Sequence, residues 1–250
     1  MRSATNDLVP ATVLELRKSA GTRARRWLLV ATGVVGLLSA GLIAFASPAQ
    51  DHTFAVISFY TQIAISLPLP FVSVLLMAQD FGLRASSAIY TKGMPHNPIV
   101  AAKLLASTII AVAGSAYGVL ISVLATSTAV PAADEARWEA IGMIILGSLL
   151  VQLIAQLSGA GWGLLLGSSA LAIAADVVVP LGLWIITGAV PGLLGVQAWL
   201  APFASAQNLL SGHMNTERWA QVGVIALVWV VTLNAAGILR VHRLGGSGGR

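Results

Sequence analysis

The chain has 250 residues, of which 57% are hydrophobic and only 9% charged, and its mean hydropathy is +0.86. A soluble domain carries about 25% charged residues, so the composition points to a polytopic membrane protein built as one bundle. The net charge of +5 is distributed as a topology signal rather than a nucleic-acid footprint, and the absence of cysteine removes disulfides, thiolate metal sites and cysteine nucleophiles.

The N-terminal region opens with Thr12-Val13-Leu14-Glu15, which fits a capping box with Thr12 as the N-cap. Lys18, Arg23, Arg25 and Arg26 follow, alternating with small residues. This predicts a basic amphipathic helix over 12–26, an elbow along the inner membrane surface that feeds the first span. A plain positive flank is the alternative. Arg25-Arg26-Trp27 and Ala44-Phe45-Ala46 loosely resemble a signal peptide, but the apolar run between them is too long for an h-region, and we read it as a retained span.

A span needs about 20 mostly apolar residues. Six qualify: Trp27–Ala46, Phe54–Ala78, Ile99–Thr126, Trp138–Ser158, Ala170–Ile186 and Trp219–Leu239. With the N-terminus inside, 12 of the 14 basic residues fall on the inner side, leaving Arg137 and Arg218 outside. That asymmetry predicts both termini cytoplasmic.

Between spans two and three lies QDFGLRASSAIYTKGMPHNPIVAAK, residues 79 to 103. Phe81, Ala85, Ala88 and Ile89 share one helical face, and Arg84, Ser87 and Thr91 the other. Gly93 and Pro95 stop this short amphipathic helix, and Asn97-Pro98 reads as an N-cap with proline at N1 that starts span three. Such a helix lies on lipid or docks into a soluble partner.

Gly159, Gly163 and Gly167 are spaced four apart, on one helical face, which suits either close packing or a hinge between spans four and five. Asp176 is an ionisable group inside span five, and Lys103 is the partner expected for it. A bundle-facing structural carboxylate is the plainer reading. Gln156 and Asn234 read as polar glue. The stretch 187–218 is apolar but broken by Pro191, Gly192, Gly195, Pro202 and Asn208, and we expect an external re-entrant hairpin there rather than a seventh span. Residues 245–250 read as a flexible tail or linker.

Catalysis has no visible footing. No GxxxxGK[ST] occurs, the four histidines (52, 96, 213 and 242) are scattered, and no metal-ligand spacing appears. Leu157-Ser158-Gly159 matches the signature of transporter ATPases only superficially, because it sits at the end of a span.

The order of these features resembles the permease subunit of an ABC transporter of the type-two exporter group, the type V exporter fold. The resemblance covers most of the chain. It rests on the basic elbow with Glu15, Lys18 and Arg23, and on the polar segment that begins at Asp80 and ends with Pro95, Pro98 and Lys103. It rests also on the short turn from Gly161 to Ser169 and the long connection from Thr187 to Arg218. The family often has an arginine directly after the proline, where this chain has Pro95-His96. That departure bears on the arginine's role and not on the fold.

The resemblance implies an all-α membrane protein of the inner (plasma) membrane, a single permease domain over 1–244 without an ATPase site of its own. It implies a coupling helix at 80–91 whose Asp80, Phe81, Arg84, Ser87, Ala88, Tyr90 and Thr91 dock into a separate ABC ATPase subunit, two copies per complex. ATP and Mg would be bound by that partner, with no cofactor in this chain. It implies a second permease subunit, identical or similar, with cargo passing along a seam lined by spans one, two and five. The expected cargo is a hydrophobic or amphipathic compound, such as a drug, antibiotic or antimicrobial peptide. A lipid or lipid-linked glycan is the alternative, and an ion-coupled carrier a further one, for which inverted repeats and several midplane charges are missing. Membrane lipid is the other expected contact, and nucleic acid is not.

Overall fold

The structure is a computed structural model that describes residues 4–48, 52–81, 96–129 and 135–247. Its regular elements are all helical, and six stretches are long and apolar enough to cross a membrane. In chain order the helices are α1 (Ala4–Gly21), α2 (Arg23–Ala46), α3 (Phe54–Ser66), α4 (Pro70–Phe81), α5 (His96–Ala129) and α6 (Ile141–Leu166). They continue with α7 (Ser169–Ala189), α8 (Leu194–Leu200), α9 (Pro202–Leu210), α10 (Thr216–Ile225) and α11 (Leu233–Ser247). Single 3₁₀ turns occupy Glu135–Trp138 and Pro191–Leu193, and a π-helical stretch, Ala226–Thr232, joins α10 to α11.

Helix α6 is the hub, with its broadest packing against α4, α11 and α5. Its glycines explain why. A Cβ on Gly159 would lie 2.8 Å from the Pro70 carbonyl oxygen, and one on Gly163 would lie 2.8 Å from the Val74 carbonyl oxygen. Both positions therefore serve close backbone approach to α4. Gly167, the third glycine of the set, instead caps α6 at φ 61°. The connection to α7 is only Gly167-Ser168, shorter than the turn expected from Gly161 to Ser169, because α6 stays helical to Leu166. A left-handed C-cap suits glycine, which pays no Cβ penalty there.

Span two is interrupted. Pro68 and Pro70 both lack an N–H, so the i→i−4 ladder fails twice within three residues, and α3 ends at Ser66 before α4 begins at Pro70. The hydropathy pattern predicts one unbroken helix through this point. The last span also departs from a plain α-helix, at its π stretch, which the hydropathy pattern does not reveal.

The start of the chain differs too. Thr12 lies inside α1 rather than capping it, and its hydroxyl donates to the Leu8 carbonyl at 2.8 Å. Helix α1 begins eight residues before the expected cap, at Ala4, and ends at Gly21, where extended Thr22 separates it from α2. At α5, the chain is already helical at His96, one residue before the expected cap at Asn97. Helix α11 runs to Ser247, through the first residues of the stretch read as a tail.

Contacts group the helix ends into two sets. The starts of α2 and α5, the ends of α4, α6 and α11, and helix α1 share one end of the bundle. This basic end carries Arg17, Lys18, Arg23, Arg25, Arg26, Lys103, Arg240 and Arg243. Helices α8 and α9 pack with α7, α10 and α6. On the outside of the bundle, Trp27, Leu38, Phe45, Leu171, Val178 and Ile186 are each more than half exposed, as lipid-facing side chains are.

Candidate functional site

Two places among the described residues bring together the charged residues singled out from the sequence. The first is a charged junction at the basic end. The Lys103 ammonium is 2.6 Å from Glu15 Oε2, 2.6 Å from Asp80 Oδ2 and 3.0 Å from the Leu76 carbonyl oxygen. Its side chain is only 2% exposed, so it needs these partners. An ammonium has three donors, and here each has an acceptor. Glu15 also binds Lys18 at 2.8 Å. Three elements thus converge: α1 through Glu15, the end of α4 through Asp80, and the start of α5 through Lys103.

Arg25 extends the junction to α2. Its Nε donates to Thr22 Oγ1 at 2.8 Å and its Nη2 to Gln79 Oε1 at 3.1 Å, and it lies near enough to Glu15 and Asp80 to feel both charges. Arg23, the basic residue singled out from sequence, is exposed. The signal for Arg25 was available in spacing. Arg25, Thr32, Gly36, Ala40 and Ala44 are the buried residues of α2 and fall on one helical face.

Of the proposed coupling helix, Asp80 and Phe81 lie at the end of α4, with Phe81 buried against Met77, Val100, Leu164 and Val241. Arg84, Ser87, Ala88, Tyr90 and Thr91 lie outside the described residues.

The second place is a cavity of about 280 Å³ beside the break in span two. Ser66, Leu67 and Pro70 form one wall, Ser158 of α6 another, and Asp176 and Pro180 of α7 a third. Phe203 and Ser205 of α9 and Trp229 of the π stretch close it. Asp176 is the one ionisable side chain in the lining, and among the described residues no ion pair or hydrogen bond reaches it. Its expected pairing with Lys103 does not form, because Lys103 is held at the basic end by Glu15 and Asp80. Ser205 is 2% exposed, and its hydroxyl has no hydrogen-bond partner among the described residues. Trp229 donates from Nε1 to the Leu200 carbonyl at 2.9 Å and meets Trp162 edge-on.

No protein-family model matches the chain, and no curated protein matches it.

A buried polar network ties the helices of the bundle together. Gln62 Nε2 donates to the Ser115 carbonyl at 3.1 Å, and Gln152 Nε2 donates to Gln62 Oε1 and to the Gln62 carbonyl, each at 3.0 Å. The Ser73 hydroxyl donates to Gln156 Oε1. Four helices, α3 to α6, are tied by side chains that are all fully buried at Gln62, Ser73, Gln152 and Gln156. Asn234 adds α11, with Nδ2 donating to the Leu157 and Val230 carbonyls at 2.8 Å each. In an apolar bundle such bonds hold helices in register. Among the described residues no cluster of three metal-ligating side chains occurs.

Proposed function

We propose that the chain is the membrane-spanning permease subunit of an ATP-driven ABC exporter, with ATP hydrolysis carried out by a separate subunit present in two copies. The observation that carries this reading is the Lys103 junction. A transport subunit driven from outside needs a rigid link between the driven segment and the spans that move. Asp80 stands at one boundary of the segment 82–95 and Lys103 just beyond the other, and they share an ion pair at 2.6 Å. A push on that segment reaches α4 and α5 together, and through Glu15 it also reaches α1.

In this reading the basic end faces the cytoplasm, following the positive-inside asymmetry. Helix α1 is the elbow at the inner surface, with Val9, Val13 and Leu14 exposed for lipid. Helices α8 and α9 form the external re-entrant hairpin. The exposed apolar faces of α2 and α7 are available to a second permease subunit as well as to lipid. Cargo is a hydrophobic or amphipathic compound, in keeping with spans that carry few charges.

The test is co-purification. Expressed with its candidate ATPase, the wild-type chain retains a Walker-motif subunit, and replacement of residues 82–91 by a Gly/Ser loop releases it. Purification alone, with transport driven by a proton gradient, would rule the proposal out.

A further inference from the structure

We infer that the cavity between the break in span two and Pro180 is a binding site for a small lipophilic amine, held by its ammonium group on the Asp176 carboxylate. The proposal goes beyond the permease reading and stands without it, because it concerns the chain alone.

The argument begins with an imbalance of donors and acceptors. Asp176 contributes a carboxylate with no counter-charge among the described residues. Pro180 has no N–H, so the Asp176 backbone carbonyl lacks its normal helical donor four residues on. Pro70 does the same to the Ser66 carbonyl, and all four residues line the cavity. The Trp229 N–H is already given to Leu200. The Ser205 hydroxyl remains, 2% exposed and without a partner among the described residues. The Ser158 hydroxyl is a second neutral donor in the lining, so among the described residues the wall offers hydroxyls but no cation to the Asp176 carboxylate.

The remaining lining is mostly hydrocarbon and aromatic, including Leu67, Phe203 and Trp229. A neutral hydrocarbon occupant would leave the carboxylate and the serine without partners, which is costly in an apolar site. An anion would be repelled. An ammonium on a compact hydrocarbon body supplies donors and positive charge at one pole and fills the rest by contact. An apolar cavity of about 150 Å³ is enough for benzene, so about 280 Å³ admits a ten-carbon cage.

The experiment uses one shape with three charges: 1-adamantylamine, 1-adamantanol and 1-adamantanecarboxylate, titrated calorimetrically into the purified full chain in detergent without any ATPase. We expect saturable binding of the amine, at least tenfold weaker binding of the alcohol, and none of the carboxylate. Asp176→Asn is expected to remove the preference for the amine, and Ser205→Ala to weaken it a few-fold, in protein whose circular dichroism and Tm match the wild type. Ala155→Phe, which fills the cavity from α6, is expected to abolish binding and covers the case in which Asp176→Asn does not fold. Equal affinity for amine and alcohol, undiminished amine binding in Asp176→Asn or in Ala155→Phe, or no saturable binding to the folded wild type would overturn the proposal. Loss of ATPase co-purification with amine binding intact would remove the permease reading alone.

Discussion

Lys103 and Glu15 are 88 residues apart in the chain, yet the ammonium and the carboxylate meet at 2.6 Å inside the basic end of the bundle. The same ammonium reaches Asp80 at 2.6 Å. Helix α1 is therefore bound to the bundle by a charge that has no solvent to fall back on. Removing one partner of a buried pair costs about 3–5 kcal/mol, because the other charge is stranded.

Lys103→Met is expected to lower the Tm of the purified protein sharply, and Glu15→Gln to do so less, since Lys103 retains Asp80. The double variant should recover part of the loss. A double-mutant cycle on thermal unfolding measures this, with a coupling on the order of 1–3 kcal/mol. Additive effects of the two changes would show that the contact carries no energy.

Arg23 and Arg25 provide a matched comparison. Arg25→Ala removes donors to Thr22 and Gln79 from a buried site, and hydrogen bonds from a charged group are worth about 1.5–3 kcal/mol. Arg23 is exposed, and Arg23→Ala should fall within about 0.5 kcal/mol of wild type. Chemical unfolding of the two variants side by side decides the point.

Glycine positions on the spans should split the same way. Gly163→Ala would place a Cβ 2.8 Å from the Val74 carbonyl oxygen and 2.8 Å from Met77 Cβ. Overpacking of this kind costs about 1–3 kcal/mol. At Gly182 a Cβ meets nothing within 4 Å, so Gly182→Ala is expected to be neutral or slightly stabilising. Equal Tm values for the two variants would contradict the close approach of α6 to α4.

Trp229→Phe keeps an aromatic ring at the cavity but deletes the N–H that holds the Leu200 carbonyl. The loss is about 1 kcal/mol in stability. Its location matters more than its size. Amide exchange should rise at residues 194–200, in α8, while α6 stays protected; unchanged exchange in α8 would mean that other contacts hold that helix.

The six spans were legible from hydropathy because each run of apolar residues is long and the flanking arginines are clustered. The interruptions inside the spans were harder to see. Pro68 and Pro70 were plain in the sequence, but a window average smooths two prolines into one apolar run. The π stretch leaves no trace in composition, since Ala226–Thr232 reads like any other membrane helix. Asp176 and Lys103 both stand out in the sequence as charges in apolar surroundings, but neither the partners of Lys103 nor the lack of one for Asp176 among the described residues can be read there. Depth along a helix says nothing of which neighbour a side chain faces, and Glu15 lay in a segment read as a capping box. Ser205 and the glutamines carried little signal for a different reason: an uncharged polar residue in a span becomes informative only once its neighbours are known.

The buried glutamines also bear on how the protein enters a membrane. Gln152 of α6 donates to Gln62 of α3, which donates in turn to the Ser115 carbonyl of α5, and Gln156 accepts from Ser73 of α4. A helix released singly into hydrocarbon would hold these amides against lipid, with no partner available. The Gln62 amide meets its acceptor, the Ser115 carbonyl, on the third span and its donor, Gln152, on the fourth, 53 and 90 residues further along the chain. Entry of these spans into the bilayer as a group would spare the amides a stage of exposure to hydrocarbon without partners.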